Sequence, residues 1–520
     1  MQFWRKRLGL GDSRSTLVGS PNAGKIATSP QKGSILQTNS DAFRPASEWM
    51  ELLASRNISA VELLSLYESQ VKVFNPSLNA VVLEDFDAAR RSARQADDRR
   101  ANGETGALLG LPHSVKDCIY VRGFPTTGGL PERRQVDSML ESPLAERLRM
   151  AGSIVFGKTN VPPYAADWQS DNPLFGRTLN PWNPAVTPGG SSGGAAAAVA
   201  AGMTPIEFGG DLAGSIRIPA AFCGVFGHKT SEALLPRAGH FPGPPRLENA
   251  AVGMGVQGPI GRCAKDLILA LQVLATPVDG REAPVELARS RHARLANFRV
   301  AVFEPPAWLP IDAQVRRGFD DLCAKLQAAG ANLTPAMPPE LGDLRDFHAT
   351  YRSLLSTIEH AAMPVAARQQ SAEAIRTTGA ADSFAQAAIA GALASAGDFI
   401  GWSGKRAFYA SVFERFFERF DILLTPTQIV PPFEHTRVLP QVSRTIKLNG
   451  SDQAYGLMFL LPSLANVTGL PATAFPVGVT PGGLPLGAQA IGPMMGDMTT
   501  LGFVETLERE IGIKALRPPV

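Results

Sequence analysis

Two glycine- and serine-rich loops that follow one another closely, Gly189-Gly-Ser-Ser-Gly-Gly194 and Gly209-Gly-Asp-Leu-Ala-Gly-Ser215, constrain this chain more than any other feature. Taken alone, the first also reads as a flexible linker. It runs straight into Ala195–Ala201, however, and alanine is the best helix former, so the glycines turn the chain immediately before a helix. In the second loop Gly214 permits dihedrals denied to other residues, and Pro219-Ala-Ala-Phe222 suits the early turns of a following helix. The N–H groups of an Asp211–Ser215 turn at a helix N-terminus converge on developing negative charge. Asp211 and Arg217 flank that turn with opposite charges and are expected to brace it as an ion pair. Ser191 and Ser215 thus offer a nucleophile and a proton relay beside an oxyanion hole, a hydrolase site assembled without histidine.

The rest of the chain is suited to carrying such a site. Its 520 residues, 44% of them hydrophobic, can bury the core of one large α/β domain or of two to three ordinary ones. Four cysteines (Cys118, Cys223, Cys263, Cys323) lie far apart, which argues against a zinc site or a disulfide framework and fits a reducing cytoplasm. The first 42 residues hold six basic against two acidic side chains, leaving the remainder near neutral, so the body is not a nucleic-acid binder on charge grounds. Residues 1–42 lack periodicity and an apolar run of signal-peptide length, and read as a flexible basic extension. Within it, Gly19-Ser-Pro-Asn-Ala-Gly24-Lys25 imitates a P-loop, but Ile26 stands where a magnesium-holding Ser or Thr belongs.

From Ala46 the pattern turns regular. Helices are expected over Ala46–Leu53, Ser59–Asn75 with Ser59 as its cap, Asp85–Arg100, Ala145–Ala151 and Lys265–Leu274. Strands are expected over Asn79–Leu83, Ser153–Gly157 and Arg299–Phe303. This alternation favours an α/β sandwich with a largely buried sheet. His240–Leu247 and Pro305–Pro310 resemble linkers, and residues from about 312 to 420 read as mainly helical, notably Ser353–Ala367 and Phe408–Phe420. The longest apolar run, Leu457–Val479, is broken by Pro462, Pro471 and Pro476 and is poor material for a membrane span.

A third motif, Gly110-Leu-Pro-His-Ser-Val-Lys116-Asp117, places a lysine at the end of an apolar run. Such a lysine is commonly a surface residue. Buried at a strand end, it loses its proton more readily and becomes a base. Of the seven histidines only His113 and His228 lie near these motifs, and Ala213 and Arg217 occupy the positions where a G-x-S-x-G elbow needs glycine. A Ser-His-Asp triad is therefore disfavoured.

Together these motifs resemble the amidase signature family of Ser-cis-Ser-Lys hydrolases, bacterial stand-alone amidases in particular. Further family-like segments are Gly157-Lys-Thr-Asn-Val161, Asn180-Pro-Trp-Asn183, Phe222–Lys229, Thr425-Pro-Thr427 and Asn466–Gly478, so the likeness runs over roughly residues 45–510. It implies one large α/β domain at 43–515, with a central twisted mixed β-sheet covered by helices on both faces and a variable, mainly helical cleft region at about 312–460. It also implies Ser215 as nucleophile, Ser191 as relay after a cis bond from Gly190, and Lys116 as base. Backbone N–H groups of Leu212, Ala213, Gly214 and Ser215 would form the oxyanion hole, with Gly190, Ser192, Asp211 and Arg217 in support.

Tyr164, Trp168 and Phe175 either line an apolar substrate pocket or belong to the core. No metal or organic cofactor is implied. The family's turn often reads Gly-Thr-Asp-Thr-Gly-Gly-Ser; here Gly210, Leu212 and Ala213 differ, and the last two add bulk beside the carbonyl site. The leading expectation is a hydrolase of small or aryl amides, with esters and carbamates as further substrates and a homodimer as a candidate assembly. A urethanase using the same residues is the near alternative. The ammonia-delivering component of a glutamine-dependent tRNA amidotransferase is the distant one, since its Ser-Ile-Arg motif usually continues with Gln where Ile218 stands.

Overall fold

Capping and apolar periodicity set the first elements. The computed structural model describes residues 40–135, 139–242, 253–277, 285–378, 382–439 and 441–519. The P-loop imitation, nearly all of the basic extension and residues 243–247 of the first linker-like tract lie outside them. Asp41 and Ala42, assigned above to the extension, are buried in a short 3-10 turn over Asp41–Phe43 and belong with the body. Ser59 caps the helix Ala60–Leu78 through a capping box with Glu62, and Asp85 caps Phe86–Ala101 by accepting from Ala88 N–H. The first of these runs three residues past the expected Asn75, through Pro76, before Asn79 ends it in a left-handed conformation. The apolar spacing of Ser353–Ala367 spans two helices, Leu344–His360 and Val365–Thr377, because Pro364 is the residue before the second begins.

Eight strands build one mixed sheet in the order Asn332–Pro335, Arg299–Val302, Ile422–Pro426, Pro485–Ile491, Ala472–Val479, Phe226–Lys229, Val256–Gly261, Glu207–Asp211. The first three run parallel to one another and every later pairing is antiparallel. Strand residues alternate between two cores, as a period of two requires. Ala301, Leu423 and Ile491 join the helices at 217–223, 344–360, 396–419 and 460–466 on one face. Val300, Ile422 and Ala490 join those at 264–274, 313–328 and 497–511 on the other. The sheet is thus covered on both sides, which accounts for its strands being largely buried except at the Asn332–Pro335 edge.

A smaller sheet pairs Val81–Glu84, Ile154–Thr159 and Pro112–Lys116, and the last of these strands packs against Glu207–Asp211 at the edge of the large sheet. The junction brings the lysine strand to the serine loops. No helix among the described residues is long and apolar enough to cross a membrane.

Candidate active site

Lys116 ends its strand with 1% of its surface exposed. Its Nζ lies 2.7 Å from Ser191 Oγ, and no carboxylate stands within ion-pairing distance of it among the described residues. Burial is the largest influence on this ammonium and pulls its pKa below the ordinary lysine value; Asp211 and Glu207 partly oppose that pull. A neutral lysine in hydrogen-bond contact with a serine hydroxyl is able to take its proton.

Ser191 sits where the first loop enters the buried helix Gly193–Ala200, and the Gly190–Ser191 peptide bond is cis, as the resemblance implies. A Cβ on Gly190 would lie 2.5 Å from Asp167 O and 2.7 Å from the carbonyl carbon of Trp168, so only glycine fits against that backbone. The two loops are joined directly by Ser192 N–H, which donates to Ser215 O at 3.1 Å. Ser215 stands just ahead of the helix Arg217–Cys223, following Gly214 at φ +88°. At 7% exposure Ser215 is the most accessible of the three side chains, and its hydroxyl makes no hydrogen bond among the described residues.

The expected ion pair between Asp211 and Arg217 is formed and completely buried, with Arg217 Nε and a terminal nitrogen each 3.0 Å from a carboxylate oxygen. Asp211 also accepts from the N–H groups of Gly214 at 2.9 Å and Ile216 at 3.2 Å, and from Asn466 Nδ2 at 3.0 Å. Burial alone would raise the Asp211 pKa, but Arg217, Asn466 and Lys229 overcome it and hold the carboxyl well below the usual carboxylate range. The guanidinium also donates to Gln489, Asn466 and the Pro462 carbonyl. Arg217→Ala leaves a buried carboxylate and three acceptors unmatched. It is expected to destabilise the chain by about 3–5 kcal/mol, read from the midpoint of urea unfolding.

This pair takes one of the four N–H groups expected to form the oxyanion hole. Gly214 N–H is engaged by Asp211, so it is not free for an oxyanion, whereas the N–H groups of Leu212, Ala213 and Ser215 have no acceptor among the described residues. The carbonyls of Leu212 and Ala213 are held as well, accepting at 2.9 Å from Tyr351 Oη and from Trp168 Nε1.

Of the three aromatics expected near the substrate, only Trp168 reaches this turn. It is 2% exposed, packed at 4.1 Å between ring centroids against Phe459. Tyr164 is 51% exposed and stacks on Phe241, and Phe175 belongs to a hairpin whose carbonyl is tied to Asn79. The two histidines that lie near these motifs in sequence are engaged elsewhere. His113 contacts Ser153 and burial lowers it to about 4, while His228 bridges Thr473 and Asp497. Tyr351, Asn466 and Gln489 complete the site; only Asn466 falls in one of the family-like segments.

The family model for Amidase matches residues 62–501 of the chain. A glutamyl-tRNA(Gln) amidotransferase component from Synechococcus sp. (strain CC9605) is 31% identical over 91% of this chain and 97% of its own length. Indoleacetamide hydrolase of Bradyrhizobium diazoefficiens is 30% identical over 89% of this chain and 86% of its own. Among solved structures, a bacterial aryl acylamidase of the amidase signature family superposes with a TM-score of 0.74 at 26% identity. The match covers 90% of this chain and 96% of that one.

Proposed function

The chain belongs to the amidase family and is an amide-hydrolysing enzyme, and from that premise we propose that it cleaves the C–N bond of a small or aryl amide through an acyl-enzyme on Ser215. The observation that carries this reading is the 2.7 Å contact between the relay serine and a buried lysine with no ion-pair partner among the described residues. Ser215 Oγ bonds to the carbonyl carbon while its proton passes to Ser191 and the Ser191 proton to Lys116. The carbonyl oxygen becomes an oxyanion facing the N–H groups of Leu212, Ala213 and Ser215. When the C–N bond breaks, Ser191 protonates the departing amine and is reprotonated by Lys116. Water then repeats the sequence on the ester, releasing the acid and restoring Ser215.

An aryl or otherwise apolar acyl group suits the surroundings. The side chains of Leu212 and Ala213 pack against the same apolar cluster that holds Trp168, Phe459 and Tyr455. The names of two similar proteins, an indoleacetamide hydrolase and an aryl acylamidase, support the same class. Esters and carbamates carry the same carbonyl and better leaving groups, so they are secondary substrates. Ile218 is fully buried in that cluster, which places an apolar side chain where glutamine is usual in the amidotransferase component. That difference favours free hydrolysis.

The purified chain is expected to release aniline from a simple anilide with no partner, glutamine or tRNA present, followed by amine detection. Turnover that needs a partner protein would instead assign the chain to an ammonia-delivering complex. A carbamate turned over faster than its matched amide would make it a urethanase.

A further inference from the structure

A trans peptide unit is planar, with its N–H pointing opposite to its C=O. Holding one carbonyl therefore aims the N–H of the next residue. Tyr351 Oη donates to the Leu212 carbonyl at 2.9 Å and so fixes the direction of Ala213 N–H, a group with no other acceptor among the described residues. Trp168 Nε1 donates to the Ala213 carbonyl at 2.9 Å, while the N–H of that same unit, on Gly214, is taken by Asp211 Oδ1. The second unit is thus held at both ends, and the first is held by Tyr351 alone.

Both donors are rigid. Tyr351 lies in the helix Leu344–His360 with no exposed surface, and burial pushes its phenol pKa well above the ordinary value, so the hydroxyl keeps its proton to donate. Phe459 packs against both rings, at centroid separations of 4.1 Å from Trp168 and 6.0 Å from Tyr351. Without the phenol oxygen, the Leu212–Ala213 unit is free to turn over. That would aim a carbonyl, instead of an N–H, at the reacting oxygen.

We propose that Tyr351 is a positioning residue that aims Ala213 N–H at the oxyanion, with Trp168 as its partner on the adjoining peptide unit. The inference rests on the acyl-enzyme reading of Ser215. It also ties the helical region that borders the cleft to the reaction itself.

The test is Tyr351→Phe and Trp168→Phe in the full chain, each assayed on an anilide and titrated with an aryl trifluoromethyl ketone, which forms a tetrahedral adduct bearing an oxyanion. Tyr351→Phe is expected to lower kcat by ~10–100-fold with KM nearly unchanged, and to weaken the ketone by a similar factor, somewhat less than deletion of a whole oxyanion donor. Trp168→Phe keeps the ring stack and should lose less, about tenfold, because Asp211 still holds that unit. Unchanged kcat and ketone affinity in both variants would overturn the inference. So would a loss of kcat with undiminished ketone binding, which is what altered packing elsewhere produces. Ser215→Ala separates the two levels: activity surviving that change sinks the acyl-enzyme reading, whereas activity abolished there but untouched in Tyr351→Phe sinks only the role of the tyrosine.

Discussion

Ser215→Ala is expected to lower kcat/KM on an anilide by roughly 10⁶-fold, the order seen when a serine nucleophile is deleted from a hydrolase that retains its oxyanion hole. Its stability should stay within about 0.5 kcal/mol of the parent, because among the described residues the hydroxyl makes no hydrogen bond that its removal would orphan. The two measurements together are diagnostic. A fluorophosphonate should label the parent at Ser215, located by mass spectrometry of peptides, and leave Ser215→Ala unlabelled. Adding Ser191→Ala to Ser215→Ala should cost almost nothing more, since residues that act as one unit lose their effect together. An active parent with no adduct on Ser215 would move the nucleophile elsewhere, and Ser191 would be the next hydroxyl to test.

The parts of this site that were legible in the sequence are those in which local backbone and chemistry coincide. Gly214 before Ser215, the alanine run after Gly194, and opposite charges at Asp211 and Arg217 each carry a mark that a short window shows. The structure bears out the turn, the helix and the ion pair. The parts that escaped are long-range bonds between side chains and backbone. Tyr351 meets the Leu212 carbonyl across 139 positions of chain, from a helix whose sequence displays only apolar spacing.

The sequence offers Trp168 as a pocket or core aromatic, but its indole N–H, not its apolar face, is what reaches Ala213. Gly214 N–H was expected to serve the oxyanion, and no sequence pattern reveals that a carboxylate three residues earlier claims it. Fold class was easier than site detail. Strand and helix alternation survives errors of a few residues, such as the helix that continues through Pro76 and the two helices divided at Pro364.

Lys116 carries the second large expectation. Lys116→Met removes the proposed base while preserving volume, and should lower kcat/KM by about 10³-fold, at the middle of the range for positioned acid–base groups. On the proposed role, catalysis needs the neutral amine, so kcat/KM should rise with pH through the lowered Lys116 pKa and level off above it. The variant should lack that limb entirely; a profile retaining it would assign the titration to another group.

Stability should move the opposite way from activity. The folded lysine holds its proton less tightly than the unfolded one, so between the two pKa values the unfolded chain binds more protons and folding strengthens as pH rises. Methionine has no such dependence. Lys116→Met should therefore gain most over the parent near neutral pH, and the gap should narrow toward the unfolded lysine value of about 10.4. Urea unfolding of both chains at two pH values reads that gap. A variant that is less active yet more stable, its activity deficit widening and its stability advantage closing as pH rises, is the result that only a deprotonated catalytic lysine gives.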